Sequence, residues 1–308
     1  MLLCCGEALI DMIPAPTVSG QDGYVPHTGG SVFNTAIALG RLGVQTGMLT
    51  GLSTDLFGQQ LLASLHANHV DTSLLVTSDR LSTLAFVQLT DGNASYTFFD
   101  ENSAGRLLEL ADMPALPDDV STLYFGGISL TCEPGAEAYA ALLKREAPAR
   151  VVMLDPNIRP SFIRDIRRYR DRLDGMIALS DIVKVSDEDL NWIYPGPQSL
   201  FEKLDFVRQA GPSVVILTRS GSDAAAFLKD GTEVSVPVER VEVVDTIGAG
   251  DTFNAGVLAK LAELGLLIKD SLAAIDPEPV REALRFGARV AAITVSRAGA
   301  NPPWRHEL

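Results

Sequence analysis

Short runs rich in Val, Ile and Leu alternate along this chain with stretches of helical spacing, and that alternation narrows the fold more than any other feature. The β-prone runs are 2–10, 47–52, 122–127, 151–156, 181–186 and 214–218, and the helical patterns are 32–43, 56–69, 134–147, 199–211, 249–265 and 279–296. Strands apolar on both faces and separated by helices belong to a parallel sheet covered on both sides. The pattern predicts an α/β fold: a mostly parallel central sheet flanked by helices. Two segments break it, 12–30 and 83–100. The second reads as a hairpin turning at Asp91-Gly92-Asn93, placed between a helix and the next core strand. Such an insertion is expected to form a small β lid over a site at the strand ends.

Composition serves mainly to exclude. A net charge of −14 argues against nucleic acid, which needs Lys and Arg to displace counterions, but not against a small phosphorylated ligand. Cys4, Cys5 and Cys132 show no metal or redox spacing and read as small buried hydrophobes in a reducing compartment. The start, MLLCCGEALID, lacks a basic region and meets Glu7 early, so a signal peptide is not expected, and no uncharged apolar run is long enough for a membrane span. The expectation is a soluble cytoplasmic protein.

The chemistry concentrates in DTIGAGDTFNAG (245–256). A β-prone stretch precedes it and helical spacing follows, so GAGD opens a helix. Free N–H groups of Ala249, Gly250 and Asp251 there would bind an anion, aided by the helix dipole, and Gly248 and Gly250 would let a ligand approach the backbone. No Lys follows the glycines as in a Walker loop, and Phe253 stands where a dinucleotide fingerprint needs a third glycine. What remains is an anion hole with a carboxylate at its mouth. Asp251 would accept the proton of an attacking hydroxyl while the amides stabilise a transferring phosphoryl group; the plainer alternative is that Asp251 is a helix N-cap.

Other polar groups fall at strand ends. Gly29 and Gly30 lead into a helix carrying Asn34, whose amide can donate to and accept from a hydroxyl. Asp11 suits vicinal hydroxyls, Asn157 a hydroxyl and Arg159 an anionic oxygen. Lys184 would balance phosphate charge, while Asp187, Glu188 or Asp189 would hold Mg²⁺ through water. Ser186, Thr218, Arg219 and Gly221 would line a nucleotide groove.

Together, GGSVFNTAIALGRLG and DTIGAGDTFNAG resemble the two signatures of the ribokinase-like (PfkB) carbohydrate kinases, and the resemblance runs from residue 2 to about 303. It implies a Rossmann-like ribokinase fold in one domain over 1–308, with 12–30 and 83–100 as the lid, and ATP with Mg²⁺ as cofactors. It implies Asp251 as base, Gly248, Ala249 and Gly250 as anion hole, and Asp11, Gly29, Gly30 and Asn34 as sugar ligands. It also implies a monovalent cation, K⁺, near Asp245 and the Ile247 carbonyl, with Ala291 and Ser296 as distant partners, and a homodimer through the lid. The NxxE motif of the family reads Ser186-Asp187-Glu188-Asp189 here, and its TxGxxG loop reads Thr218 to Asp223. Within the family the chain is most similar to bacterial fructokinases, and 2-keto-3-deoxygluconate kinases are the nearest rivals. The rivals carry a Tyr-Tyr-Arg lid stretch where Phe98-Phe99-Asp100 stands, so Phe99 is placed against the sugar and Asp100 is expected to repel a sugar acid.

Overall fold

The computed structural model describes residues 1–90, 93–219 and 221–308; Asp91 and Gly92 of the expected hairpin turn, and Ser220, lie outside them. Among the described residues, nine strands form one sheet in the order Glu233–Val236, Ala224–Leu228, Val214–Thr218, Ile182–Ser186, Val151–Asp155, Thr122–Gly126, Leu2–Cys5, Thr46–Leu49, Val70–Asp71. Pairing is parallel from Val214–Thr218 through Val70–Asp71 and antiparallel for the two strands at the other edge. Both faces carry an apolar core. Leu2, Cys4, Met48 and Ile182 belong to one, with Leu39 and Leu258 from its covering helices; Leu3, Cys5, Phe125 and Val183 belong to the other, with Leu142 and Leu173. Cys4 and Cys5 alternate between the faces as strand geometry requires.

Several boundaries differ from the expectation. The run 2–10 is not one strand: it breaks at Gly6-Glu7, and Leu9–Pro16 belongs to a second sheet. Asp11 therefore approaches the site from that sheet, not from the end of the first core strand. The edge strands Ala224–Leu228 and Glu233–Val236 escape sequence reading because AAAFL lacks β-branched residues and the other run is short. Helices Ile166–Leu179 and Asp187–Ile193 escape it because the first is crowded with arginines and the second is only two turns long.

The second sheet has four strands, ordered Asp22–Gly29, Leu9–Pro16, Leu84–Thr90, Asn93–Phe99. Its register aligns Asp11 with Ala85 and Ala85 with Phe98. Asp11 and Phe98 thus share a face, and Phe99 belongs to the opposite one. No helix among the described residues is long and apolar enough to cross a membrane.

Candidate active site

Consecutive parallel strands deliver Glu7, Gly127, Asp155, Asn157, Arg159 and Lys184 to one carboxyl edge, where open α/β sheets bind ligands. There they line a cavity of about 350 Å³, closed on other sides by Gly30 and Asn34, by Asp11, Tyr96 and Phe98 of the second sheet, and by Thr246 to Asp251. A second cavity, about 720 Å³, runs along Ser186, Glu188, Thr218, Arg219 and Gly221 to Val243 and Ala291. Thr246, Ala249 and Gly250 line both.

Gly248 is the N-cap of helix Ala249–Glu263 and sits at φ 76°, and a Cβ there would meet Ala300 Cβ at 2.7 Å. Only glycine makes this turn without strain. With Gly248 at the cap, Asp251 is the third helical residue; the plainer reading of it as the N-cap does not hold. Ala249 N turns back to the Thr246 carbonyl at 3.3 Å, so the anion-facing amides are those of Gly250 and Asp251, which have no intrahelical acceptor.

Asp251 is buried and accepts a hydrogen bond from Asn34 Nδ2 at 2.9 Å. Burial pushes its pKa up to about 7; the Asn34 bond opposes this, Asp155 and Glu7 reinforce it, and Lys184 opposes it. A carboxylate poised near neutrality can accept a proton there. Asp11 is likewise pushed up by burial, to about 6. Its Oδ2 lies where a Cβ on Gly29 would be, so Gly29 makes room for the carboxylate and does not line the cavity itself.

Other expected residues take different places. Phe99 is 56% exposed on the outer face and stacks on Phe86, while Phe98 faces the cavity against Phe162 with ring centroids 4.3 Å apart. Asp100 is buried in an ion pair with Arg106 at 2.9 Å, outside the cavity, so it repels no ligand there. Asp189 closes a capping box with Ser186 and accepts the Ile158 amide, leaving it committed to structure and unsuited to hold a metal; Glu188 alone of that pair stays exposed. Lys184 lines the smaller cavity, not the nucleotide-sized groove where it was expected, because Asp155 holds it at 3.1 Å. Arg159 lines the same cavity and donates to Asn157 Oδ1 at 2.8 Å. Asp245 spends its two oxygens on the amides of Ile247 and Gly299, and Ser296 donates into its own helix at Ile293.

Sequence reading passed over Glu7, Asp155 and Asn254. Glu7 accepts from Ser31 N and Oγ (3.0 and 2.7 Å) and from Ser129 N, joining the first strand's end to the start of helix Ser31–Arg41. Asn254 is fully buried and donates to Asp155 at 2.7 Å. A poor helix former inside an apolar helix was the available signal for Asn254.

A polyol-sized polar cleft and a larger groove that meet at one helix start, with a near-neutral carboxylate between them, define a phosphotransferase with an alcohol as acceptor. The model of the pfkB family of carbohydrate kinases matches residues 1–307, and the chain belongs to that family. It is 50% identical to a fructokinase from Rhizobium leguminosarum bv. trifolii over 282 residues, 91% of this chain and 86% of the relative. The structure of a fructokinase with bound ATP from Xylella fastidiosa superposes with a TM-score of 0.88 at 29% identity, covering 97% and 93% of the two chains. A Vibrio cholerae O395 fructokinase in fructose-, ADP- and calcium-bound form gives 0.82 at 25% identity, covering 97% and 94%.

Proposed function

We propose that this protein is an ATP-dependent fructokinase that converts D-fructose to fructose 6-phosphate. The carrying observation is that Thr246, Ala249 and Gly250 line both cavities while Asp251 faces the smaller one. A hydroxyl bound in the cleft and a phosphate bound in the groove therefore meet at the same turn, Thr246 to Gly250. The fructose and ADP of the Vibrio cholerae structure and the Rhizobium fructokinase support this pairing of ligands.

Asp11 and Asn34 hold sugar hydroxyls, and Asp251 takes the proton of O6 as that oxygen attacks the γ-phosphorus. The amides of Gly250 and Asp251, with Arg159, stabilise the charge in transit. Four carboxylates (Glu7, Asp11, Asp155 and Asp251) against two cations (Arg159 and Lys184) leave the cleft acidic on balance, which favours a neutral ketohexose over a sugar acid, a selectivity that Asp100 does not supply. Closure of the second sheet as a lid excludes water, which would otherwise accept the phosphoryl group.

Among the described residues no three His, Cys, Asp or Glu side chains cluster to cage a metal. The exposed Glu188, in the groove, fits a Mg²⁺ that arrives on the nucleotide and keeps most of its waters. Mg²⁺ would neutralise phosphate charge when bound. For K⁺ the oxygens on offer are the Ile247 carbonyl, the Ser296 hydroxyl, which donates to Ile293 but keeps its lone pairs, and the Asp245 carboxylate beside the two amides it accepts. The exposed Tyr24 and Phe99, together on the outer face of the second sheet, suit a homodimer through the lid.

An ADP-release assay with fructose, 2-keto-3-deoxygluconate, ribose and tagatose tests the reading. Fructose should give the highest kcat/KM; a preference for the sugar acid, or no turnover with any of them, would overturn it.

A further inference from the structure

Beside the cleft and the groove lies a third cavity, about 540 Å³, which the reading above leaves without a task. The three lie in a row. Cleft and groove share Thr246, Ala249 and Gly250, whereas cleft and third cavity share Tyr96, Phe98 and Phe162. Among the described residues, groove and third cavity have no lining residue in common. The transfer turn therefore closes one end of the cleft and an aromatic wall closes another.

Two parts of the fold build that wall. Tyr96 and Phe98 stand two residues apart on strand Asn93–Phe99 and so project from one face of the second sheet. Phe162 belongs to the short turn Pro160–Phe162, directly after Arg159. The rings of Phe98 and Phe162 meet edge to face at 90° with centroids 4.3 Å apart, a close approach for an aromatic pair, and this shuts the space between them. Carbon rings offer a sugar hydroxyl no conventional hydrogen-bond partner at this end; what they supply is volume. Behind them the lining is polar, but its charges are spent: Asp100 holds Arg106 and Glu137 holds Arg172, each at 2.9 Å. Such a lining suits hydroxyl groups better than an anion.

Building on the fructokinase reading, we propose that Phe98 and Phe162 determine specificity by closing the cleft on the anomeric end of the sugar, so that the enzyme takes free ketohexose and refuses fructofuranosides, whose anomeric oxygen carries a further group. O6 is free in the furanose form of fructose, whereas the pyranose spends it as the ring oxygen. In the furanose, C6 and the anomeric oxygen leave from the two carbons that flank the ring oxygen, and they point apart. With O6 at Asp251, the anomeric oxygen faces the wall. A group larger than hydrogen on that oxygen runs into the rings. With either ring removed, the same group enters the third cavity, which is larger than the cleft that takes the first hexose. A fructofuranoside keeps its O6, so the transfer itself is unchanged: the O6 proton goes to Asp251 and O6 bonds to the γ-phosphorus. The bond from that phosphorus to the β,γ-bridging oxygen breaks, and ADP leaves with the electron pair.

The test compares sugars within each protein. The wild type should turn over fructose and give methyl β-D-fructofuranoside and sucrose a kcat/KM about 10²-fold lower or less. Phe162→Ala should raise the ratio of fructoside to fructose kcat/KM by about 10- to 100-fold. Mass spectrometry of the fructoside 6-phosphate keeps ADP released to water out of the count. Phe98→Ala opens the wall from its other side and should raise the same ratio, so the test holds if one variant folds poorly. Phe162→Trp keeps the wall shut, and Phe99→Ala, on the outer face, should leave the ratio at its wild-type value. No fructose turnover in the wild type would overturn the fructokinase reading and this proposal together. With fructose turned over, three results would overturn the proposal alone: wild-type turnover of the fructosides on a par with fructose, an unchanged ratio in folded Phe98→Ala or Phe162→Ala, or a rise shared by Phe99→Ala.

Discussion

Replacing Asp251 by Asn should make this protein more stable and nearly inactive at once. In the folded chain burial holds the carboxyl near pKa 7, against an ordinary 3.8. The unfolded chain releases this proton about three pH units earlier, so between those values the folded state binds more protons. Stability therefore falls as pH rises through the window, and the full cost, about 4 kcal/mol, is present above pH 7. Asn does not ionise, and its side-chain oxygen can still accept from Asn34 Nδ2. The variant should match the wild type near pH 4 and gain about 1.4 kcal/mol for each pH unit up to 7. Its kcat should fall about 10²- to 10⁴-fold, the usual contribution of a general base, while fructose and ATP still bind. Urea unfolding at pH 5 and pH 8, paired with ADP release, measures both. A stability difference that stays flat from pH 5 to 8 would refute the buried, near-neutral carboxylate, and turnover close to the wild type would refute the base.

Other perturbations test neighbouring parts of the site. Asn34→Ala removes the hydrogen bond that lowers the Asp251 pKa, so the acid limb of the kcat/KM profile should move up by about one pH unit; a profile that stays put or moves down counts against it. Gly29→Ala puts a methyl group where Asp11 Oδ2 now lies, so the fructose KM should rise about tenfold with the ATP KM unchanged. Phe98→Ala should raise the fructose KM while Phe99→Ala leaves it alone, because strand alternation points only Phe98 into the cleft; the reverse order in steady-state kinetics would show the register argument to be wrong.

Much of the fold is legible in the sequence because its cause is local. A parallel strand covered on both sides must be apolar throughout, and VVMLD and VVILT announce themselves on that ground. The turn GAGD is legible for a similar reason: a left-handed cap needs glycine, and Gly248 adopts that conformation. Where a strand owes its place to a partner, the signal fades, as in AAAFL at the antiparallel edge. The break at Gly6-Glu7 hides inside a continuous β-prone run, since nothing in the run tells which of two sheets each half will join.

The site divides in the same way. Residue type and position after a strand or a glycine turn were enough to single out Asp251, Asn34, Asn157 and Arg159, while Asp11, read as the end of the first strand, reaches the same cavity from the second sheet. Partnership was not legible, because it is decided between segments far apart in the chain. Asp189 carries the charge a metal site needs, but Ser186 and the Ile158 amide claim its oxygens. Asp100 has the right charge to repel an anion, but Arg106 neutralises it away from the cleft. Lys184 meets Asp155 across 29 residues and Asn254 meets Asp155 across 99. Sequence by itself determined which chemistry this chain carries, since backbone conformation, burial pattern and side-chain charge are properties of each residue. Only the tertiary structure decided which charges are free to act, because a charge's partner depends on how the chain folds back on itself.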